Sequence, residues 1–351
     1  MGKRRRYICL TWLSACLFAC SIGTALASMA TAIEEKPAYS AKTDVSETSL
    51  IQRHVQSKDR LSANSIAGVA VGIDSNPLLD STHKADGYVQ ENLRMGFRYP
   101  IGDFKYGQMV SNFGFDLMNV NYYKLTGVNI FDSTVYANLE QELFGRFAVS
   151  AGYGFESFIF PNDRRGTFLS NELNTSIKQR FTSRLYQKVA YRMIFRDYTV
   201  RRARLTNGCT GTKLRHDFRN LIEHEFGAYP TDITKLKLVN QVLFNDSNDR
   251  YEDFYDYFNY RLVASAVQYF NPRLYMNTGF YYQKKNYDSR TGSDDVVTEK
   301  DNQIGVSTSL LYDITRSLSV FVNYSHIRNM SNDPTERYTD NLCSAGLYYV
   351  F

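Results

Sequence analysis

From about residue 64 to Phe351 the chain alternates apolar residues with polar or small ones at a period of two. Ile304, Val306, Thr308, Leu310, Tyr312 and Ile314 share one face of such a segment, against Gly305, Ser307, Ser309 and Asp313. Phe147, Val149, Ala151, Tyr153 and Phe155 repeat the pattern against Ala148, Ser150, Gly152, Gly154 and Glu156. Successive side chains of a strand leave opposite faces, so a period of two means strands with two different surroundings. The connections alternate in length. Short ones fall near 100–103, 145–146, 182–184, 230–232, 271–273 and 315–317. Long polar ones fall near 74–87, 119–129, 161–166, 201–215, 245–253, 288–300 and 331–337. Tight periplasmic turns and longer extracellular loops have this rhythm. The predicted fold is all-β: a closed antiparallel transmembrane barrel of about 14 strands over 64–351, with both ends periplasmic. A soluble β-sandwich also alternates, but with its apolar face inward.

The N-terminus follows different rules. Lys3, Arg4, Arg5 and Arg6 precede an apolar stretch from Tyr7 to Ala25, and Ala25-Leu26-Ala27 is a small-residue cleavage pattern. Residues 1–27 therefore read as a secretory signal peptide. Leu13-Ser14-Ala15-Cys16 offers a rival reading, a lipidated Cys16. Residues 28–63 are polar without a clear strand pattern and read as a periplasmic tail. Removing the four basic residues of the signal leaves 37 Lys+Arg against 36 Asp+Glu, a net +1 in place of +5. That balance makes no case for nucleic acid.

Composition narrows the class. The mean hydropathy is −0.38, and only the N-terminus approaches the roughly twenty apolar residues that a spanning helix needs. The chain has 27 Tyr and 23 Phe against one Trp and 7 Pro, which suits strands and a water–lipid boundary. Outside the signal the cysteines are Cys209 and Cys343, in a loop and in the last strand, and no C-x-x-C supports zinc or thiol redox chemistry.

The chain ends Ser344-x-Gly346-x-x-Tyr349-x-Phe351, with Ala345, Leu347, Tyr349 and Phe351 on one apolar face. This resembles the terminal signature of Gram-negative outer-membrane barrels. The resemblance implies that Gly346, Tyr349 and Phe351 belong to a signal read by barrel-insertion machinery. Gly72-Ile73-Asp74-Ser75-Asn76-Pro77 and the last two hairpins, from Tyr324 through Ser331-Asn332-Asp333 to Tyr338 and Asn341, resemble the putative β-barrel porin families. That resemblance implies an outer-membrane channel. A second resemblance is to the barrel of surface lipoprotein assembly modifiers, which carry a helical repeat domain ahead of it. Here only about 36 residues stand there.

Alternation turns many charges inward. The lumen-lining candidates are Arg94, Arg98, Asp116, Glu140, Glu142, Glu156, Glu172, Lys188, Arg192, Arg196, Arg261 and Asp313. Arg219, Lys235 and Lys237 join them, although strand eight could run with reversed parity. Such walls set a field that selects solutes by charge, or they form salt bridges that merely solvate the interior. His216-Asp217 and Glu223-His224-Glu225 hint at a hydrolytic dyad, but no serine stands in a nucleophile setting and H-E-x-x-H is absent. No catalytic residue, metal or cofactor is assigned. Tyr281-Tyr282 and Tyr348-Tyr349 are either sugar platforms or interface girdles. The expected function is a passive channel for small hydrophilic solutes, saccharides among them, with outer-membrane lipid and insertion machinery as partners. The alternatives are a non-transport barrel acting in surface assembly, secretion or structure, and an outer-membrane hydrolase.

Overall fold

The structure, a computed structural model, describes residues 62–80, 84–251, 253–291 and 297–351. The signal peptide, the lipidation at Cys16 and all but the end of the tail lie outside the described residues. Fourteen strands close into one antiparallel barrel in sequence order. They are β1 (Ser62–Asp74), β2 (Asp86–Phe104), β3 (Gly107–Tyr122), β4 (Ile130–Leu143), β5 (Phe147–Ile159), β6 (Phe168–Arg180) and β7 (Leu185–Arg204). Then follow β8 (Thr210–Thr231), β9 (Thr234–Ser247), β10 (Tyr257–Tyr269), β11 (Leu274–Thr291), β12 (Thr298–Asp313), β13 (Leu318–Ser331) and β14 (Tyr338–Val350). Closure runs from Ile66 opposite Val350 to Asp74 opposite Leu342. It leaves no strand edge unpaired, which lipid demands because it offers backbone groups no hydrogen bonds.

The outer face is apolar, as the alternation predicts. Val69, Val71 and Ile73 on β1, Leu236 and Leu238 on β9, and Val306, Leu310 and Tyr312 on β12 are all exposed. Polar side chains on this face are covered locally. The hydroxyls of Tyr153, Tyr191, Tyr260, Tyr282 and Tyr324 donate to Asn171, Asn220, Asn240, Asn302 and Asn341 on adjacent strands, over 2.5–3.1 Å. An amide facing lipid is costly unless bonded, and each tyrosine satisfies one. Tyr282 and Tyr349 therefore face outward, while Tyr281 and Tyr348 are buried on the inner face. Adjacent residues of a strand cannot build one sugar platform.

One expected turn is displaced. β2 continues through 100–103 and turns only after Phe104. Pro100 lacks an N–H for the ladder, and the register shifts between Pro100 and Gly102, so the strand absorbs the irregularity as a bulge. The 201–215 connection is shorter than expected, since β7 and β8 pair out to Arg204 and Thr210.

Loop residues clamp the closing seam. Tyr122 donates to Asp74 over 2.7 Å, and the Asn76 backbone N–H donates to the same carboxylate over 3.0 Å. The Asn341 N–H donates to Ser75 Oγ over 2.7 Å. The G-I-D-S-N-P stretch thus joins the first strand's exit to the last strand's entry. At the other end the Phe351 N–H donates to Ser65 O over 3.0 Å, and its exposed ring lies 5.9 Å from Tyr349. Phe351→Asp puts a charge on this apolar end, where depth-dependent penalties apply. Several-fold less heat-modifiable barrel is expected in outer-membrane fractions than for Asn332→Asp in a loop; equal yields of the two variants contradict the assignment.

Candidate functional site

The pairing register sets the inner face strand by strand. Arg94 stands opposite Asp116, Asp116 opposite Thr134, and Thr134 opposite Glu156. Glu156 is opposite Ser170, which is opposite Arg196. All twelve candidate positions fall on the inner face with their buried neighbours. Parity in β8 runs inward for Arg219, Glu223 and Glu225, all of which are buried.

Many of these charges pair. Arg94 Nε meets Asp116 over 2.7 Å. Arg192 lies between Glu223 at 3.0 Å and Glu172 at 3.6 Å. Lys237 meets Glu225 at 3.4 Å, and the Tyr186 hydroxyl donates to Glu225 at 2.5 Å. Glu142 meets Arg180 at 2.9 Å, and Asp313 accepts from Ser319 at 2.8 Å. Lys188 is opposite Glu225. Glu140 is exposed, and Arg98 is half-buried.

Arg196 corrects one expectation. It faces inward, yet only 1% of it is exposed, and its guanidinium sits 3.7 Å from the Phe168 ring centroid. It belongs to an apolar cluster of Tyr88, Val120, Tyr122, Phe158, Phe168 and Tyr198. Leu78, Leu125 and Val128, from outside the strands, join this cluster. The inner wall of β2–β7 at the long-loop end is therefore packed and not uniformly polar. Arg196 is part of that packing.

The hydrolytic pairing does not assemble. His216 faces outward and its Nδ1 meets Asp197, whereas Asp217 faces inward and binds Arg215 over 2.6 Å. His224 likewise faces away from Glu223 and Glu225. Among the described residues no group of three or more His, Cys, Asp or Glu is placed to hold a metal ion.

Opposite the packed wall lies a cavity of about 510 Å³ at the long-loop end. Its wall carries Arg165, Arg201, Arg215, Arg261, Lys285 and Arg290 against Asp163, Asp301 and Glu336. Rings hold several of these cations. The Arg215 guanidinium is 3.4 Å from the Tyr255 centroid, and Lys285 Nζ is 4.1 Å from that of Tyr257. Arg261 lies 4.6 Å from the Tyr281 centroid. Tyr281 itself lies flat against the wall because Gly305 has no Cβ to meet it. Its hydroxyl donates to Gln303 over 2.8 Å.

The family model described as putative beta-barrel porin 2 matches residues 229–350, the stretch that supplies most of this cavity's strands. Over that stretch, about a third of the chain, the sequence is similar to this porin family, and the described chain forms a closed β-barrel. OmpT of Vibrio cholerae, expressed in the outer membrane, is similar in fold, with a TM-score of 0.50 at 10% identity over 85% of this chain and 100% of that one. The channel DcaP of Acinetobacter baumannii gives a TM-score of 0.47 at 10% identity, over 85% and 99%. An anion-selective porin from Comamonas acidovorans gives 0.46 at 9%, over 83% and 99%. No curated protein matches the sequence.

Sequence reading of the barrel missed Arg215, Lys285 and Arg290, and the amides Asn259, Gln283, Gln303 and Asn329 as members of one site. Their inward parity was legible, but their convergence needed the pairing register. The loop before β10 carries Phe254 and Tyr255 into the cavity and is tied down by Asp256, which accepts from Ser247 N–H over 2.7 Å. Burial, with Asp246 and Asp253 nearby, pushes the Asp256 carboxyl up to about 7. A raised carboxyl favours the protonated folded form, so the stabilisation is complete below about pH 4 and is lost as pH rises through about 7. The melting-temperature advantage of the unmodified barrel over Asp256→Asn is expected to shrink as pH rises from about 4 to about 7.

Proposed function

We propose that the barrel is a passive channel for small hydrophilic solutes, saccharides among them. The observation that carries this reading is the inner face itself. Charged and amide side chains from most of the fourteen strands converge on the interior, and the cavity opens among them at the long-loop end. A barrel of eight strands is just filled by its own side chains, and one of this size has room for water and solute. Both described ends of the barrel lie at the short-turn end, which we read as periplasmic, with the insertion signal beside it. The cavity then faces the outside of the cell.

Reconstituted proteoliposomes test the reading. Swelling in neutral sugars is expected to be fast for a monosaccharide and to slow with size. Absence of swelling with heat-modifiable, folded barrel contradicts it. The apolar cluster around Phe158 and Phe168 favours a second reading, a non-transport barrel in surface assembly or structure, and that reading predicts no swelling at any size.

Two variants divide the interior by role. Arg98 faces inward on β2 and is half-buried, within reach of water. Arg98→Glu is expected to shift the zero-current potential in a salt gradient toward cations, because the local potential changes sign. Arg196→Glu instead buries a carboxylate near Asp132 and Glu156, both of which feel the Arg196 charge. Breaking a buried pair costs on the order of 3–5 kcal/mol, so this variant is expected to yield little folded barrel on heat-shift gels. Normal folding of Arg196→Glu contradicts the packing role.

A further inference from the structure

Arg261, Gln283, Gln303 and Asn329 stand directly opposite one another on β10, β11, β12 and β13, forming a single inward belt. One step toward the loops, Asn259, Lys285 and Asp301 form a second belt. Arg261 and Lys285 are diagonal neighbours, separated by about 7–8 Å between backbones, within joint reach of one carboxylate. The amides beside them can both donate to and accept from hydroxyls.

The charge of the chamber is positive on balance. Its wall holds six basic side chains against three acidic ones, and Asp217 behind Arg215 and Glu299 behind Arg290 bring the balance to +1. Tyrosine rings help to hold Arg261 and Lys285, and a ring fixes a cation without cancelling its charge. A neutral sugar leaves the net positive charge unused. A small anion leaves the amide belt unused.

We propose that this chamber binds an acidic saccharide, with the ring's carboxylate against Arg261 and Lys285 and its hydroxyls along the amide belt. The inference rests on the channel reading only for how the sugar arrives and leaves. Phe254 and Tyr255 close the chamber from the loop side, beside the two belts.

Calorimetric titration of the folded full-length barrel in detergent tests this directly, with trigalacturonate, maltotriose and citrate as probes. Trigalacturonate is expected to bind about tenfold or more tightly than either of the others, a difference of about 1.4 kcal/mol. Its affinity is expected to fall as salt rises, because exposed charges are screened. Arg261→Gln with Lys285→Gln, checked for folding by heat-shifted migration, is expected to weaken trigalacturonate at least tenfold. Lys105→Gln, an exposed residue in the short turn after β2 at the other end of the barrel, is expected to leave it unchanged. Should the double variant fail to fold, the salt series and the three-probe comparison on the unmodified barrel still decide. Equal binding of maltotriose or citrate, a salt-independent affinity, or full affinity in the folded double variant overturns the proposal. Binding without conductance in bilayers removes the channel reading and leaves the chamber; conductance without binding removes the chamber alone.

Discussion

Every feature of this barrel depends on one constraint: inside a bilayer each backbone N–H and C=O must find its partner within the protein. Fourteen strands meet it by pairing around a ring, and the β1–β14 seam completes it. Once the ladder is fixed, so is the face of every side chain, because a slip of one residue would turn a whole strand inside out. Lipid then accepts only one of the two faces. The register is specified by that demand, and the interior is what remains.

What remains is unusually rich in charge, and the structure handles it in two ways. Around Arg192, Glu172, Glu223, Lys237 and Glu225, opposite charges from neighbouring strands meet across the inner wall. Glu223 and Glu225 are buried, so these pairs offset the cost of taking charge out of water and add little net stability beyond that. On the loop side, rings take over. Tyr255, Tyr257 and Tyr281 hold Arg215, Lys285 and Arg261 by their faces. Glycine makes this possible where space is short: Tyr281 lies over Gly305, and Tyr88 over Gly72, where a Cβ would meet the ring at 2.5 Å. Flat rings leave the interior to the cations and amides.

The strand count, the faces and the inward direction of all twelve charged candidates were legible in the sequence, because a period of two is a local signal. The hairpin at Pro100 was misplaced for a local reason as well: proline reads as a stop, yet a bulge carries β2 past it. Arg196 marks the limit of parity. Alternation says that it points inward, but only the ring stack of Phe158, Phe168 and Tyr198 shows that it is covered. The belt from Arg261 to Asn329 was hidden differently. Its members are spread from residue 261 to residue 329, three of the four are uncharged, and only pairing aligns them. His216 and Asp217 were adjacent in sequence and are divided by the wall itself.

The central claim is that strict alternation separates a lipid face from a water-accessible inner face. Adjacent positions on β11 test it most directly. In a background with Cys209→Ser and Cys343→Ser, which removes both free thiols of the described chain, single cysteines are placed by Gln283→Cys and Tyr282→Cys. Proteoliposomes are then exposed to a charged, membrane-impermeant thiol reagent. The account predicts fast labelling at position 283, slowed when trigalacturonate fills the chamber, and little or no labelling at position 282. Equal labelling of the two positions, or faster labelling at 282, would contradict it.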